Sequence, residues 1–144
     1  MNVINEMRLN FLSKSSNESF ARSAVAAFVL ELDPTITELA DIKTAVSEAV
    51  TNAIVHGYRR GSGTIYIDVK LTDDNNVIIK IRDKGVGIED IKQAMQPLFT
   101  TAESEERAGL GFAVMQSFCD SVKVTSKPQK GTTVTLKKRI IPLK

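Results

Sequence analysis

Ser47-Glu48-Ala49-Val50-Thr51-Asn52-Ala53-Ile54-Val55-His56-Gly57 is the stretch on which the reading of this chain turns. Its pattern is that of an amphipathic helix near its end. Glu48, Asn52 and His56 recur every four residues and so share one stripe. Ala45, Val46, Ala49, Val50, Ala53 and Ile54 fill the faces beside it. A carboxylate one turn from an amide carbonyl supplies a proton acceptor and a hard oxygen ligand, which suits Mg²⁺-phosphate chemistry. Alone, the pair is also what a solvated helix face looks like.

Two further runs change its meaning. Asp83-Lys84-Gly85-Val86-Gly87 places an acid at a strand end, then two glycines that let backbone approach a flat ligand. Arg107-Ala108-Gly109-Leu110-Gly111-Phe112 places two glycines where a helix is expected to open, and the free N–H groups of a helix start favour phosphate. The first of these is also a common turn and the second a frequent, unspecific motif. All three in this order within one small chain describe a nucleotide site.

Composition bounds the rest. A chain of 144 residues is long enough for one domain with a proper core, taken as 1–144. Hydrophobic residues at 42% and charged residues at 25% are ordinary for a soluble globular protein. A formal charge of +2 leaves no broad footprint for direct nucleic-acid binding. Lys137-Lys138-Arg139 is the one basic run, read as a solvated strand end. Cys119 is the only cysteine, so no intrachain disulfide is possible, which fits a reducing cytoplasm. Glu6, Arg8 and Asn10 interrupt any signal-peptide reading, and no segment has the length of a membrane span. The expectation is a cytoplasmic protein without membrane contact.

Along the chain, Met7, Leu9 and Phe11 alternate with Arg8 and Asn10 as in a half-buried strand. Ser15-Ser16-Asn17-Glu18 offers caps to a helix carrying Phe20, Val25, Phe28, Val29 and Leu32. Asp33-Pro34-Thr35 breaks it and restarts a second helix over 35–56, closed by Gly57. Residues 64–71 and 77–83 read as strands joined by the polar loop 73–76. A short helix is expected after Ile88. The polar stretch 97–108 is read as a lid between the glycine boxes. Residues 109–118 are helical, and 122–124 with 133–136 form a last hairpin around 128–131. Such mixing implies a two-layer α/β sandwich, one sheet covered by helices on one face.

These motifs resemble the GHKL, or Bergerat, ATP-binding superfamily of gyrase, Hsp90, sensor histidine kinases and mismatch-repair ATPases. Within it the chain is similar to the small serine kinases that act as anti-sigma factors in spore-forming bacteria. The likeness rests on Ser19-Phe20-Ala21-Arg22, the 47–54 run, His56-Gly57-Tyr58, Asp83-Lys84-Gly85-Val86-Gly87-Ile88, Gln96-Pro97-Leu98-Phe99-Thr100-Thr101 and Lys130-Gly131-Thr132-Thr133-Val134. It spans essentially the whole chain. Ala113 stands where many members have a third glycine.

The resemblance implies a mixed, mainly antiparallel sheet and the ligands ATP or ADP with Mg²⁺. It implies Asp83 as acceptor for the adenine amine, Gly85 and Gly87 around the base, and Thr133 completing the pocket. Asn52 is implied as Mg²⁺ ligand, and Thr100, Thr101, Gly109 and Gly111 as phosphate contacts. Glu48 would be the general base and Arg107 the neutraliser of developing charge. Implied partners are the sporulation sigma factor F, an anti-anti-sigma protein as serine substrate, and a second copy in a homodimer. Arg22 is the residue chosen for partner contact, against a solvated helix arginine.

His56 is the only histidine and lies inside the nucleotide helix, and no separate phospho-acceptor helix is present. Three functions therefore compete: a sigma-capturing serine kinase, an ATP-gated binding module without transfer, and a hydrolytic clamp. The clamp is disfavoured because similar clamps carry a further transducer domain.

Overall fold

Alternation decides which way each strand faces. In the computed structural model, which describes residues 1–88 and 103–141 (103–110 through their backbone alone), β1 is Val3–Leu12, β2 Thr64–Thr72, β3 Asn76–Asp83, β4 Ser121–Lys127 and β5 Gly131–Arg139. Ile65, Ile67, Val69 and Leu71 of β2 are buried, as are Val77, Ile79 and Ile81 of β3 and Val134 and Leu136 of β5. The residues between them face the other way, because successive side chains of a strand point to opposite faces. Lys80, Arg82 and Lys123 are exposed there.

The strand order is β1-β2-β3-β5-β4, and every neighbouring pair is antiparallel. The mainly antiparallel sheet is as expected, and among the described residues it holds no parallel pair. β3 and β4 run in the same direction, but β5 lies between them and opposes both.

Helices α1 (Ser16–Val29), α2 (Ile36–Asn52) and α3 (Glu103–Phe118) cover the apolar face, with a 3₁₀ turn at Leu30–Leu32 joining the first two. α1 buries Ala21, Val25, Ala26 and Val29, while α2 buries Ile42, Ala45, Val46, Ala49 and Val50. Phe112 and Met115 anchor α3 in the same core. This is the expected two-layer sandwich. Cys119 packs against it, and burial pushes its thiol up to about 11, as suits an inert packing residue.

α2 begins in a capping box. Thr35 Oγ1 accepts the Glu38 N–H at 3.0 Å, and Glu38 Oε1 accepts the Thr35 N–H at 2.9 Å. The other Glu38 oxygen accepts the Ile141 N–H at 2.9 Å, tying the chain beyond β5 to the start of α2. Thr35→Ala should cost about 1 kcal/mol of stability. A lower urea midpoint with an unchanged m-value checks this.

Three local expectations change. The second helix does not run α-helical to Gly57: α2 ends at Asn52 and Ala53–Gly57 is a π-helical turn. Its wider turn shows in the Tyr58 N–H, which donates five residues back to Ala53 O at 2.9 Å. The angular step from Asn52 to His56 therefore no longer repeats that from Glu48 to Asn52, and the stripe of three loses its last member. Next, α3 opens at Glu103 and not at Gly109. Glu, Arg and Ala are good helix formers, which favours a start before the glycines. The lid expected over 97–108 is accordingly divided. Its first part, like the helix expected after Ile88, lies outside the described residues, while 103–108 is helix. Third, Lys138 is not solvated. Alternation turns it to the same side as Leu136, where Nζ donates to the Phe118 carbonyl at 2.9 Å and lies 3.5 Å from Asp41.

Candidate functional site

Asp83 is the last residue of β3 and shares the inward face of Ile81 and Ile79, so its carboxylate is buried toward the helical layer. One oxygen accepts the Gly85 N–H at 2.9 Å, and the backbone N–H of Thr132 donates to the same group. Burial pushes its pKa up, against the pull of these two donors. A buried carboxylate at a strand end, held by backbone donors, is a fixed acceptor for a polar ligand.

The turn after Asp83 is locked to the π turn without intervening side chains. Val86 N–H donates to Gly57 O at 2.9 Å. A methyl on Gly85 would lie 1.9 Å from that carbonyl oxygen, and one on Gly57 would lie 2.7 Å from Asp83 Cγ. Only glycine permits this approach on both sides. The π turn thus places a backbone carbonyl against the turn that carries the acid. Farther on, Gly87 adopts φ +76°, Gln129 N–H donates to Val86 O at 2.6 Å, and Ile88 N–H donates to Ser126 Oγ at 2.8 Å. The turn is strapped to the β4–β5 hairpin.

Glu48 and Asn52 keep their α-helical spacing on α2, both half-buried. α3 crosses directly over them. Gly111 is buried there, and a methyl on it would lie 3.2 Å from Glu48 Oε2 and 3.2 Å from Asn52 Nδ2. Asn52 Nδ2 is buried without a hydrogen-bond partner among the described residues. Nδ2 is a donor, so what the site lacks as built is an acceptor for that N–H. Leaving a buried donor so costs about 1–3 kcal/mol.

The other sequence candidates divide. Gly109 and Gly111 lie inside α3 and not at its opening, so their N–H groups belong to the helix ladder. Gly111 serves here as the point of close approach between helices. Arg107 is in the first half of α3, and its side chain lies outside the described set, as do Thr100 and Thr101. Thr133 pairs with Arg82 on the open face, whereas Thr132 pairs with Asp83 and is buried. Thr132 Oγ1 is 2.8 Å from Ser126 Oγ, which also donates to Gly131 O at 2.9 Å. The missed signal was the alternation itself, since Val134 and Leu136 face inward and Thr132 must follow.

Arg22 lies on α1, partly exposed, with Nε 3.5 Å from Glu18 Oε1. Glu18 also accepts the Ser47 hydroxyl, so Arg22 is linked to the residue before Glu48. A shallow depression of about 580 Å³ lies over the strand ends toward the open face, lined among others by Arg82, Lys84, Thr125, Lys127, Lys130 and Thr133. Four cations round its rim favour an anionic ligand.

This geometry has relatives. Residues 13–138 match the histidine kinase-like ATPase domain family. The chain is 60% identical over 140 residues to an anti-sigma F factor of Thermoanaerobacter pseudethanolicus, covering 97% of each chain. It is 54% identical over 137 residues to the anti-sigma F factor of Bacillus licheniformis, covering 94% of this chain and 93% of that one. The chain belongs to the anti-sigma F factor family. Among solved structures it is similar to the RsbU and RsbW domains of a Mycobacterium tuberculosis protein, with a TM-score of 0.68 at 20% identity over 94% of this chain and 32% of that one. It is also similar to a blue-light activated histidine kinase of Erythrobacter litoralis, with a TM-score of 0.58 at 18% identity, covering 82% and 40%. Both likenesses carry the fold alone. No helix among the described residues of this family member is long and apolar enough to cross a membrane.

Proposed function

We propose that the chain is a cytoplasmic, homodimeric anti-sigma factor and serine kinase. It binds Mg-ATP, captures the sporulation sigma factor F in that state, and phosphorylates a serine of an anti-anti-sigma protein. The observation that carries this reading is the buried, unsatisfied Asn52 amide held beside Glu48 under Gly111. An amide N–H without an acceptor, beside a carboxylate and under a helix of an ATPase-family domain, fits a phosphate-bearing ligand better than it fits a core.

The residues fit Mg²⁺. It takes few protein ligands and completes its shell with water and phosphate oxygens, so Asn52 would suffice to hold it. When bound, it supplies charge neutralisation between the phosphates. Asp83 accepts from the adenine amine, which guanine lacks at that position, and Gly85 and Gly87 keep the backbone close to the base. Thr100 and Thr101 belong by family likeness to the phosphate end, and Gly109 and Gly111 would serve it through the close approach of α3, since their N–H groups are taken up in the helix. Glu48 takes the proton of the serine hydroxyl as its oxygen attacks the γ-phosphorus and ADP leaves. Arg107 offsets the charge that develops. Arg22 contacts partner protein.

Labelled ATP incubated with the chain and its acceptor tests this. The label should reach the acceptor as an acid-stable phosphoserine. Acid-labile label kept on this chain and lost in His56→Ala would overturn the serine-kinase reading, and label staying on ATP would favour an ATP-gated module without transfer. Sigma capture should need ATP, because a γ-phosphate can bias a conformation only through contacts that ADP lacks. Equal affinity for sigma factor in ATP and ADP by calorimetry would remove that part.

A further inference from the structure

Tyr58 follows the π turn, and no nucleotide contact is assigned to it. Its hydroxyl donates to the Thr64 carbonyl at 2.6 Å and accepts the Lys84 N–H at 2.7 Å. Thr64 opens β2, and Lys84 is the residue between the Asp83 acceptor and Gly85. One phenol therefore ties the end of the helical layer to the first residue of one strand and to the turn leaving another. The ring is held as well. A methyl at Gly63 would lie 2.3 Å from Tyr58 Cε1, so the 58–63 connection packs backbone against the ring edge. The π turn aims it, since the Tyr58 N–H is bonded back to Ala53 O at 2.9 Å.

We propose that Tyr58 is a positioning residue that sets nucleobase selectivity, its hydroxyl fixing the Asp83-Lys84-Gly85 turn so that the Asp83 carboxylate meets an exocyclic amine. This rests on the nucleotide reading above. Asp83 is oriented by the Gly85 N–H on one side and the Thr132 N–H on the other. Thr132 sits on a strand and needs no further support. Gly85 sits on a turn, whose peptide from Lys84 is held at its start by Tyr58. Without the hydroxyl, the Lys84 N–H turns to water and the turn is held only at its far end, by the Val86 and Gln129 bonds, so the Gly85 donor gains play. An acceptor that wanders no longer distinguishes an amine from a carbonyl at the same place on the base.

The test is Tyr58→Phe, compared with wild type for binding of ATP and of ITP, whose hypoxanthine carries oxygen in place of the amine. Wild type should prefer ATP. The variant should lose about tenfold in ATP affinity, as expected for one positioned hydrogen bond, with little change for ITP. The preference should therefore shrink by about the same factor, which a loss of general stability would not do. A folded variant with the wild-type ATP-to-ITP ratio overturns the inference and leaves the nucleotide reading intact. Wild-type protein that binds neither nucleotide overturns both. Should Tyr58→Phe fail to fold, hydrogen exchange of the Lys84 amide in the wild type decides. Slow exchange supports the hydroxyl as its partner, and exchange at the rate of an open turn overturns it.

Discussion

Asp83→Asn should lower ATP affinity on the order of 10²-fold while leaving the protein folded, because a hydrogen bond to a charged buried acceptor is among the stronger ones. The carboxylate already serves the Gly85 and Thr132 N–H groups, both donors. It can do this and still offer lone pairs to an adenine amine, since both of its oxygens accept. Asparagine has the same shape but one accepting oxygen. Its NH₂ would face another donor, whichever way the amide turns. Calorimetry of ATP binding checks this, with circular dichroism confirming the fold. Wild-type affinity in the variant would remove Asp83 from base recognition.

The pH dependence has a definite sign. Burial raises the native pKa of Asp83 above its unfolded value, so the ligand-free fold favours the neutral carboxyl. That stabilisation is complete below the unfolded pKa and is lost as pH rises through the native one. ATP binding uses the ionised acceptor, so affinity should instead fall as pH drops through the native value. Asp83→Asn should lack that component.

Glu48 and Asn52 should fail differently although they are one helical turn apart. Asn52→Ala removes the amide proposed to hold Mg²⁺, so Mg-ATP binding should weaken and ATP-dependent sigma capture with it. Glu48→Gln keeps the shape and removes only the proton acceptor. ATP should stay bound and sigma factor should still be captured, while transfer slows on the order of 10² to 10⁴-fold, the usual loss for a general base. Nucleotide affinity and single-turnover transfer on both variants separate the roles. Transfer at near wild-type rate in Glu48→Gln would show that another group takes the proton. Gly111 lies against both side chains, so neither variant should be larger than the residue it replaces.

Periodicity made most of this fold legible. The alternation of Ile65, Ile67, Val69 and Leu71, and the helical spacing of Val46, Ala49, Val50 and Ala53, each named an element and its buried face. Breaks were legible for the same local reason, since Thr35 and Glu38 cap a helix through contacts three residues apart. Glu48, Asn52 and Asp83 could be singled out because their chemistry is unusual at such places. Their environment could not, because it depends on residues far away in sequence. The burial of Asp83 needs Gly57, Gly85 and the Thr132 N–H to close on it, and β5 comes nearly fifty residues later.

The misreadings have the same origin. The π turn at Ala53–Gly57 replaces an α-helical end because Gly57 must meet the Asp83 turn, a tertiary demand that local propensity does not express. Thr132 joins Asp83 once β5 is registered against β3 while Thr133 faces the other side, since a one-residue choice moves a side chain to the other face of the sheet. Lys138 reads as solvated in a basic run, yet register turns it inward to the end of α3. The sequence alone determined the layers, the order of the elements and the residues with chemistry to offer, because those follow from spacing along one chain. Only the tertiary structure decided which of them face one another, because burial, unsatisfied polar atoms and close backbone approach exist only between segments that folding brings together.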